Sequence, residues 1–304
     1  MPVRVRVPAS SANLGPGYDA FGLALDLHNE FAGELADEWH VDVVGEGAGH
    51  LSSGADNRIA RAMAVAFAEA GRPELRARIE NDNGIPVGRG LGSSSAAIVG
   101  GLMLGSALAG VANDPARIFE LAAGIEGHAD NAAAAVYGGF TVSTRDAGGA
   151  RCVRIDPARG LAVVVVAGEA ELDTTKSRAA LPDTVSHADA AAGAGRAALV
   201  ALGLALGNED ALSLGLHDTL HESYRHELIP DLELIRGILV DAGAPGAVLS
   251  GAGPSVLAVI PGPDDERALT RALEIAENAR PRLHASGRGR VMAVGIDRVG
   301  ASFV

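Results

Sequence analysis

A glycine-rich loop, Ile85-Pro86-Val87-Gly88-Arg89-Gly90-Leu91-Gly92, runs directly into three hydroxyls, Ser93-Ser94-Ser95, and then into residues 96–108, which are nearly all apolar or small. A helix over 96–108 has no polar face to give to water, so it must be buried. Its unpaired N-terminal N–H groups then face the loop and bring the positive end of the helix with them. Glycines at 88, 90 and 92 permit positive φ and close backbone approach, so successive N–H groups can converge on an anion. The segment has the makings of a phosphate cradle. Taken alone it reads equally as a flexible turn before a helix, so the rest of the chain must decide.

With 304 residues the chain exceeds the usual size of one core, and two domains of about 150 residues each are expected. Hydrophobic patterning predicts strands near 3–7, 21–28, 39–45 and 75–80, helices near 57–70, 94–109 and 114–127, and a strand near 137–144. Strands and helices fall in separate groups, which favours an α+β layer over regular βαβ alternation. The turn Asp146-Ala147-Gly148-Gly149 marks the best boundary, giving domains 1–148 and 149–304. Residues 161–166 form a continuous apolar run of strand length, expected to be central and buried on both faces. Helices near 186–206, 209–223 and 231–242, strands at 246–250 and 255–260, a helix near 264–279 and a strand near 290–296 complete a split βαβ arrangement of ferredoxin type.

The net charge of −13 argues against nucleic acid as a partner, so an anionic ligand must be held locally. No run of 18 apolar residues suggests a membrane span. The first residues alternate, Val3-Arg4-Val5-Arg6-Val7, as a half-buried strand does and as a signal peptide does not, which points to the cytoplasm. A single cysteine, Cys152, excludes an intrachain disulfide and reads as a packed thiol in a strand. Lys176 is the only lysine, so a mechanism that needs one has a single candidate.

Two further glycine motifs join the loop. Residues 8–22, Pro-Ala-Ser-Ser-Ala-Asn-Leu-Gly-Pro-Gly-Tyr-Asp-Ala-Phe-Gly, follow a predicted strand and pack an amide, a carboxylate and hydroxyls into a polar loop suited to a small molecule. Leu249-Ser250-Gly251-Ala252-Gly253-Pro254-Ser255, in the second half, is placed to close over the same ligand. With these three motifs, and with Glu126-Gly127-His128-Ala129-Asp130-Asn131 and the segment 221–230, the chain resembles the GHMP small-molecule kinases, on the branch that acts on L-homoserine.

The resemblance implies a ribosomal-protein-S5-type first domain, a ferredoxin-like second domain and an active site between them. It implies ATP held by Pro86, Val87, Gly88, Arg89, Gly90, Leu91, Gly92, Ser93, Ser94, Ser95 and Ala96, and Mg2+ held by Ser94 and Glu126. Glu120 is the fallback ligand. The loop is no Walker A motif, since Ser93 stands where that motif has lysine. Asn57 fits two roles, a helix cap beside Asp56 or an adenine contact. For the acceptor, Asn13, Asp19 and His128 are expected at the ammonium and hydroxyl, Arg178 and Arg225 at the carboxylate, with Thr174 and Gly253 nearby. Where related kinases carry an aspartate base this chain has Asn131, and Ser10-Ser11-Ala12 stands in place of their lysine. Neither replacement can take a proton at neutral pH. The implied chemistry is therefore phosphoryl transfer by positioning and electrostatics, without a protein base. A kinase of another small alcohol and a silent nucleotide-binding relative are the alternatives; a homodimer is also implied.

Two histidine groups carry rival readings. His217 and His221, four apart on a predicted helix, have the spacing of a zinc pair but lack a third ligand. His28, His40 and His50 are scattered and read as surface residues.

Overall fold

The computed structural model describes residues 2–168, 172, 174–285 and 289–304. The first half runs β1 (Val3–Ala12), β2 (Phe21–Ala36), β3 (His40–Gly45), α1 (Arg58–Glu69), β4 (Arg76–Asn83), α2 (Ser93–Leu108), α3 (Pro115–Glu126), α4 (Asp130–Tyr137), β5 (Phe140–Asp146) and β6 (Gly149–Ile155). The second runs β7 (Leu161–Ala167), α5 (Thr174–Ala179), α6 (His187–Leu206), α7 (Glu209–Gly215), a 3-10 turn (Ser223–Arg225), α8 (Leu232–Asp241), β8 (Val248–Leu249), β9 (Val256–Pro261), α9 (Asp265–Ala285), β10 (Arg290–Gly295) and β11 (Ser302–Phe303).

The first sheet has the order β11-β1-β2-β4-β3, with β5 on β2 and β6 on β5. Helix α2 is buried along its length, as its composition requires, and packs on β1, β2, α1 and α3. A side chain at Gly101 would come within 2.5 Å of the Ile59 carbonyl, so the small residues of α2 let α1 lie directly against it. On β4 the alternation of exposed and buried positions sends Ala77, Ile79, Asn81 and Asn83 inward.

The second sheet is antiparallel with the order β10-β7-β9-β8. Strand β7 is buried on both faces. Leu161, Val163 and Val165 join the core that contains the first sheet, while Ala162, Val164 and Val166 pack with α8 and α9. This is the two-domain α+β architecture expected, with one face of the second sheet on the core shared with the first domain, α6 and α7, and the other on α8 and α9.

Several details depart from the sequence reading. The turn at 146–149 does not part the domains: Asp146 pairs with Gly149 and closes the β5–β6 hairpin, so the chain leaves the first sheet only after Ile155. A turn rich in Asp and Gly signals a hairpin as well as a linker. The chain also returns, since β11 pairs with β1 through Val5 and Phe303. Helix α4 replaces the start of the strand predicted at 137. The helix predicted over 209–223 stops at Gly215, because the Asp218 carboxylate accepts from the N–H groups of Leu220, His221 and Glu222 and turns the chain. His217 and His221 therefore share no helix; the first is exposed, the second wholly buried. His40 and His50 are exposed, but His28 is tucked between Arg6, which donates to Nδ1 at 2.8 Å, and Asp297 at 2.9 Å. Among the described residues one helix, α6, has the length and mean hydropathy (1.4) to cross a membrane; it carries Asp189 and Arg196 and buries Val200 and Leu204 in the core.

Candidate active site

The three glycine motifs meet. Ser10 N–H donates to the Leu91 carbonyl at 3.1 Å, and Asn13 Nδ2 donates to the Gly251 carbonyl at 2.8 Å. The Ser250 hydroxyl donates to the Gly90 carbonyl at 2.7 Å and lies 2.8 Å from the Ser11 hydroxyl. Approach this close explains two glycines of the loop. A Cβ at Gly90 would lie 2.2 Å from the Ser250 carbonyl oxygen, one at Gly92 would lie 2.0 Å from Ser10 Oγ, and both residues have positive φ. Beside this junction is a cleft of about 880 Å³.

Along one wall lie Val87, Gly88, Arg89, Gly90, Gly92, Ser93, Ser94 and Ser95. Gly92 caps α2 in the left-handed conformation without a side-chain bond, so the first N–H groups of the helix are left to the cleft. Pro86, Leu91 and Ala96 are buried behind this wall. At its floor the Glu126 side chain, 5 % exposed, accepts from the hydroxyls of Ser94 and Ser95, the latter at 2.6 Å. The guanidinium of Arg58 reaches over from α1, donating to Ser94 Oγ and lying 3.8 Å from Glu126. Glu120 is elsewhere, exposed and paired with Arg117 at 2.5 Å. Lys176 is exposed on α5.

The far end of the cleft is lined by amides and apolar side chains, among them Leu51, Asn57, Asn81 and Asn83. Asn57 caps α1, its Oδ1 accepting from Ile59 N–H at 2.9 Å and its Nδ2 donating to the Ser52 carbonyl. Asn81 is buried and its Oδ1 has no hydrogen-bond partner among the described residues. Sequence reasoning missed Asn81 and Asn83, yet the signal is there: both are polar at inward positions of an alternating strand.

At the other end lie Asn13, Tyr18, Asp19, His128, Asn131, Thr174, Arg178, Arg225 and Gly253. The structure thus brings together the residues expected around the acceptor. Asp19, held at φ 57°, has its N–H bonded to Asn13 Oδ1 at 3.0 Å and its carboxylate forked to Arg178 at 2.8 and 2.5 Å. Those bonds raise the Arg178 pKa above its ordinary value, against a smaller effect of burial. Tyr18, also missed, accepts from Arg178 at 3.0 Å, and its ring centroid lies 5.6 Å from the Arg178 guanidinium and 5.8 Å from that of Arg225. Burial is the main reason the Tyr18 phenol pKa is raised.

Helix α4 begins between these two ends. Asn131, in its first turn, accepts at Oδ1 from the Ser10 hydroxyl at 2.9 Å. Asp130 is buried in the cleft wall, accepting from Asn131 N–H at 2.7 Å and sitting 2.7 Å from His128 Nδ1. Burial pushes the His128 pKa down, but the hydrogen bond and charge of Asp130, with the charge of Glu126, outweigh it and leave it raised.

Known proteins share this architecture. The family model described as "GHMP kinases N terminal domain" matches residues 57–139, and "GHMP kinases C terminal" matches residues 196–279. The chain is similar to the homoserine kinase of Moorella thermoacetica (40% identity over 84% of this chain and 86% of the relative) and to that of Streptomyces avermitilis (43% over 94% of each). Among solved structures it resembles homoserine kinase from Cytophaga hutchinsonii, with a TM-score of 0.86 and 26% identity, covering 100% of this chain and 97% of the other. A mevalonate kinase from L. major, at 15% identity and a TM-score of 0.71 over 97% of this chain and 96% of the other, shares the fold alone.

Proposed function

The chain belongs to the GHMP kinase family, and from that membership we infer that it is an ATP-dependent kinase of L-homoserine, making O-phospho-L-homoserine on the way to threonine. One observation carries the substrate assignment. A cleft that opens at one end onto a glycine loop and a helix N-terminus ends at the other in two arginines and an aspartate, the complement of an amino acid.

In this reading the triphosphate lies over Gly88–Ser95 N–H groups and the end of α2, with Arg58 adding positive charge. The adenine lies against Leu51 and Val87, where the free Oδ1 of Asn81 accepts from its amine. Glu126 and the Ser94 hydroxyl form a compact oxygen-donor set, which fits magnesium. The ion would supply charge to the phosphate oxygens as negative charge shifts toward the leaving group. Asp19 takes the substrate ammonium, while Arg225 and Arg178 take its carboxylate. The substrate hydroxyl then approaches the γ-phosphorus beside Asn131.

The substrate oxygen bonds to the γ-phosphorus as the bond to the β–γ bridging oxygen breaks. The proton leaves late, to a phosphate oxygen or water. Two observations support a base-free path: Asn131 cannot take a proton, and Asp130 is occupied by His128. Alignment of reactants can contribute roughly 7–11 kcal/mol, and a loose transition state asks little activation of the nucleophile. A cytoplasmic homodimer belongs to the same reading, and light scattering on the purified chain checks the oligomer.

The deciding experiment measures ADP release with MgATP and, separately, L-homoserine, L-serine, L-threonine and mevalonate. Homoserine should turn over with the highest kcat/KM; its failure to do so would overturn the assignment. Arg225→Ala should impair homoserine use far more than ATP binding.

A further inference from the structure

Arg225 is 2 % exposed, yet among the described residues no carboxylate lies within ion-pair distance of it. Its anchors are uncharged. Nε donates to the Ser177 carbonyl at 3.3 Å, while Nη1 donates to the Gly251 carbonyl at 3.1 Å and to His221 Nδ1 at 2.9 Å. Both Nη1 protons are thereby used, and Nη2 has no acceptor among the described residues. Since Arg225 lines the cleft, Nη2 is the edge left for a ligand.

The tautomer of His221 follows from its neighbours. Nε2 lies 2.9 Å from the Gly15 carbonyl, an acceptor, so Nε2 carries the proton and Nδ1 offers a lone pair to Arg225. The ring is fully buried and its orientation is fixed from several sides. The Tyr18 ring lies against it, tilted by 33° with centroids 5.1 Å apart, and Asp218 holds its backbone N–H at 2.7 Å. Burial, with the Arg225 charge, pushes the His221 pKa down to about 4 against the opposing charge of Asp218, so the ring stays neutral. Neutrality matters. A carboxylate here would cancel the Arg225 charge, and an imidazolium would repel it; a neutral acceptor orients the guanidinium and leaves its charge for the ligand.

We propose that His221 is a positioning residue: its Nδ1 holds the Nη1 edge of Arg225 so that Nη2 faces the substrate α-carboxylate, and its bond to Gly15 ties that orientation to the first glycine motif. This rests on reading the cleft as an amino-acid site. His221 touches no substrate and acts through Arg225.

Two substitutions separate the ring nitrogens. In His221→Asn the amide oxygen falls near the position of Nδ1 and keeps an acceptor for Arg225, while His221→Gln reaches the position of Nε2 and leaves Arg225 without one. Steady-state kinetics with each should show a homoserine KM raised about tenfold in the Gln variant and within about threefold of wild type in the Asn variant, the size expected for one charge-assisted hydrogen bond. The ATP KM should not move in either. Equal homoserine KM values in the two variants, or an ATP KM that rises in step, would overturn the proposal, and thermal melting reports whether either has lost its fold. 3-Aminopropan-1-ol, which lacks the carboxylate, tests the underlying reading. If the wild-type protein uses it as well as homoserine, the amino-acid site itself is wrong. If the wild type rejects it and the Gln variant rejects it as strongly, the site stands and the role of His221 falls.

Discussion

The Ser10 hydroxyl donates to Asn131 Oδ1 at 2.9 Å, which commits the amide oxygen to the protein and leaves its NH2 group for the cleft. The pair stands where related kinases are expected to carry a lysine and an aspartate. In the proposed reaction a donor thus faces the substrate hydroxyl where a base would otherwise be.

Asn131→Asp should lower kcat by about tenfold or more at pH 7.5, because a carboxylate beside the triphosphate adds repulsion where no activation is needed. Single-turnover measurement of the chemical step checks this. A large rise in kcat would show that the site was waiting for a base.

Glu126→Gln should lower kcat/KM for MgATP by about 10–100-fold and raise the magnesium concentration for half-maximal rate, since the buried carboxylate is the strongest donor beside Ser94. Glu120→Gln, on an exposed pair with Arg117, should leave both unchanged. Magnesium titrations of the two variants decide between these carboxylates.

Arg58→Ala should raise the ATP KM several-fold and leave the homoserine KM within about twofold of wild type, a modest effect because the side chain is 60 % exposed and its charge is screened. A homoserine KM that rises equally would place Arg58 outside the phosphate end of the cleft.

The protein should lose stability as pH falls from about 6.5 toward 4. His221 has its folded-state pKa depressed to about 4, so below the unfolded value of 6.5 the unfolded chain binds a proton that the native state refuses. From this group alone the loss between pH 7 and pH 4 is on the order of 3 kcal/mol. Urea unfolding across that range, compared with His221→Asn, isolates it; an equally steep pH dependence in the variant would refute the assignment.

The site was legible where its chemistry is packed into short segments. Glycine loops, a capping asparagine and the run 126–131 announce themselves by residue type and spacing, and the structure brings them to one cleft. The supporting residues were not. His221 and Gly15 stand 206 residues apart, and nothing in local pattern ties a buried imidazole to a carbonyl so distant in sequence. Helical spacing suggested His217 and His221 as a pair because the Asp218 carboxylate, which ends the helix by accepting three N–H groups, looks like any surface acid. Asn81 was visible in principle, since a polar residue at an inward position of β4 must either be satisfied or await a ligand. The hairpin at 146–149 was mistaken for a linker because the same residues make both.

Strand β11 gives the two halves a second covalent crossing. The chain leaves the first sheet after Ile155 and comes back after Gly295, where Asp297 donates its N–H to the Ala24 carbonyl and Ala301 donates to Ala135. Between these crossings Leu161, Val163 and Val165 pack into the core of the first sheet, so chain and core join the same two layers. The two walls of the cleft are thus joined by two stretches of chain and by a shared core, a linkage set by the route of the chain and independent of the side chains that line it.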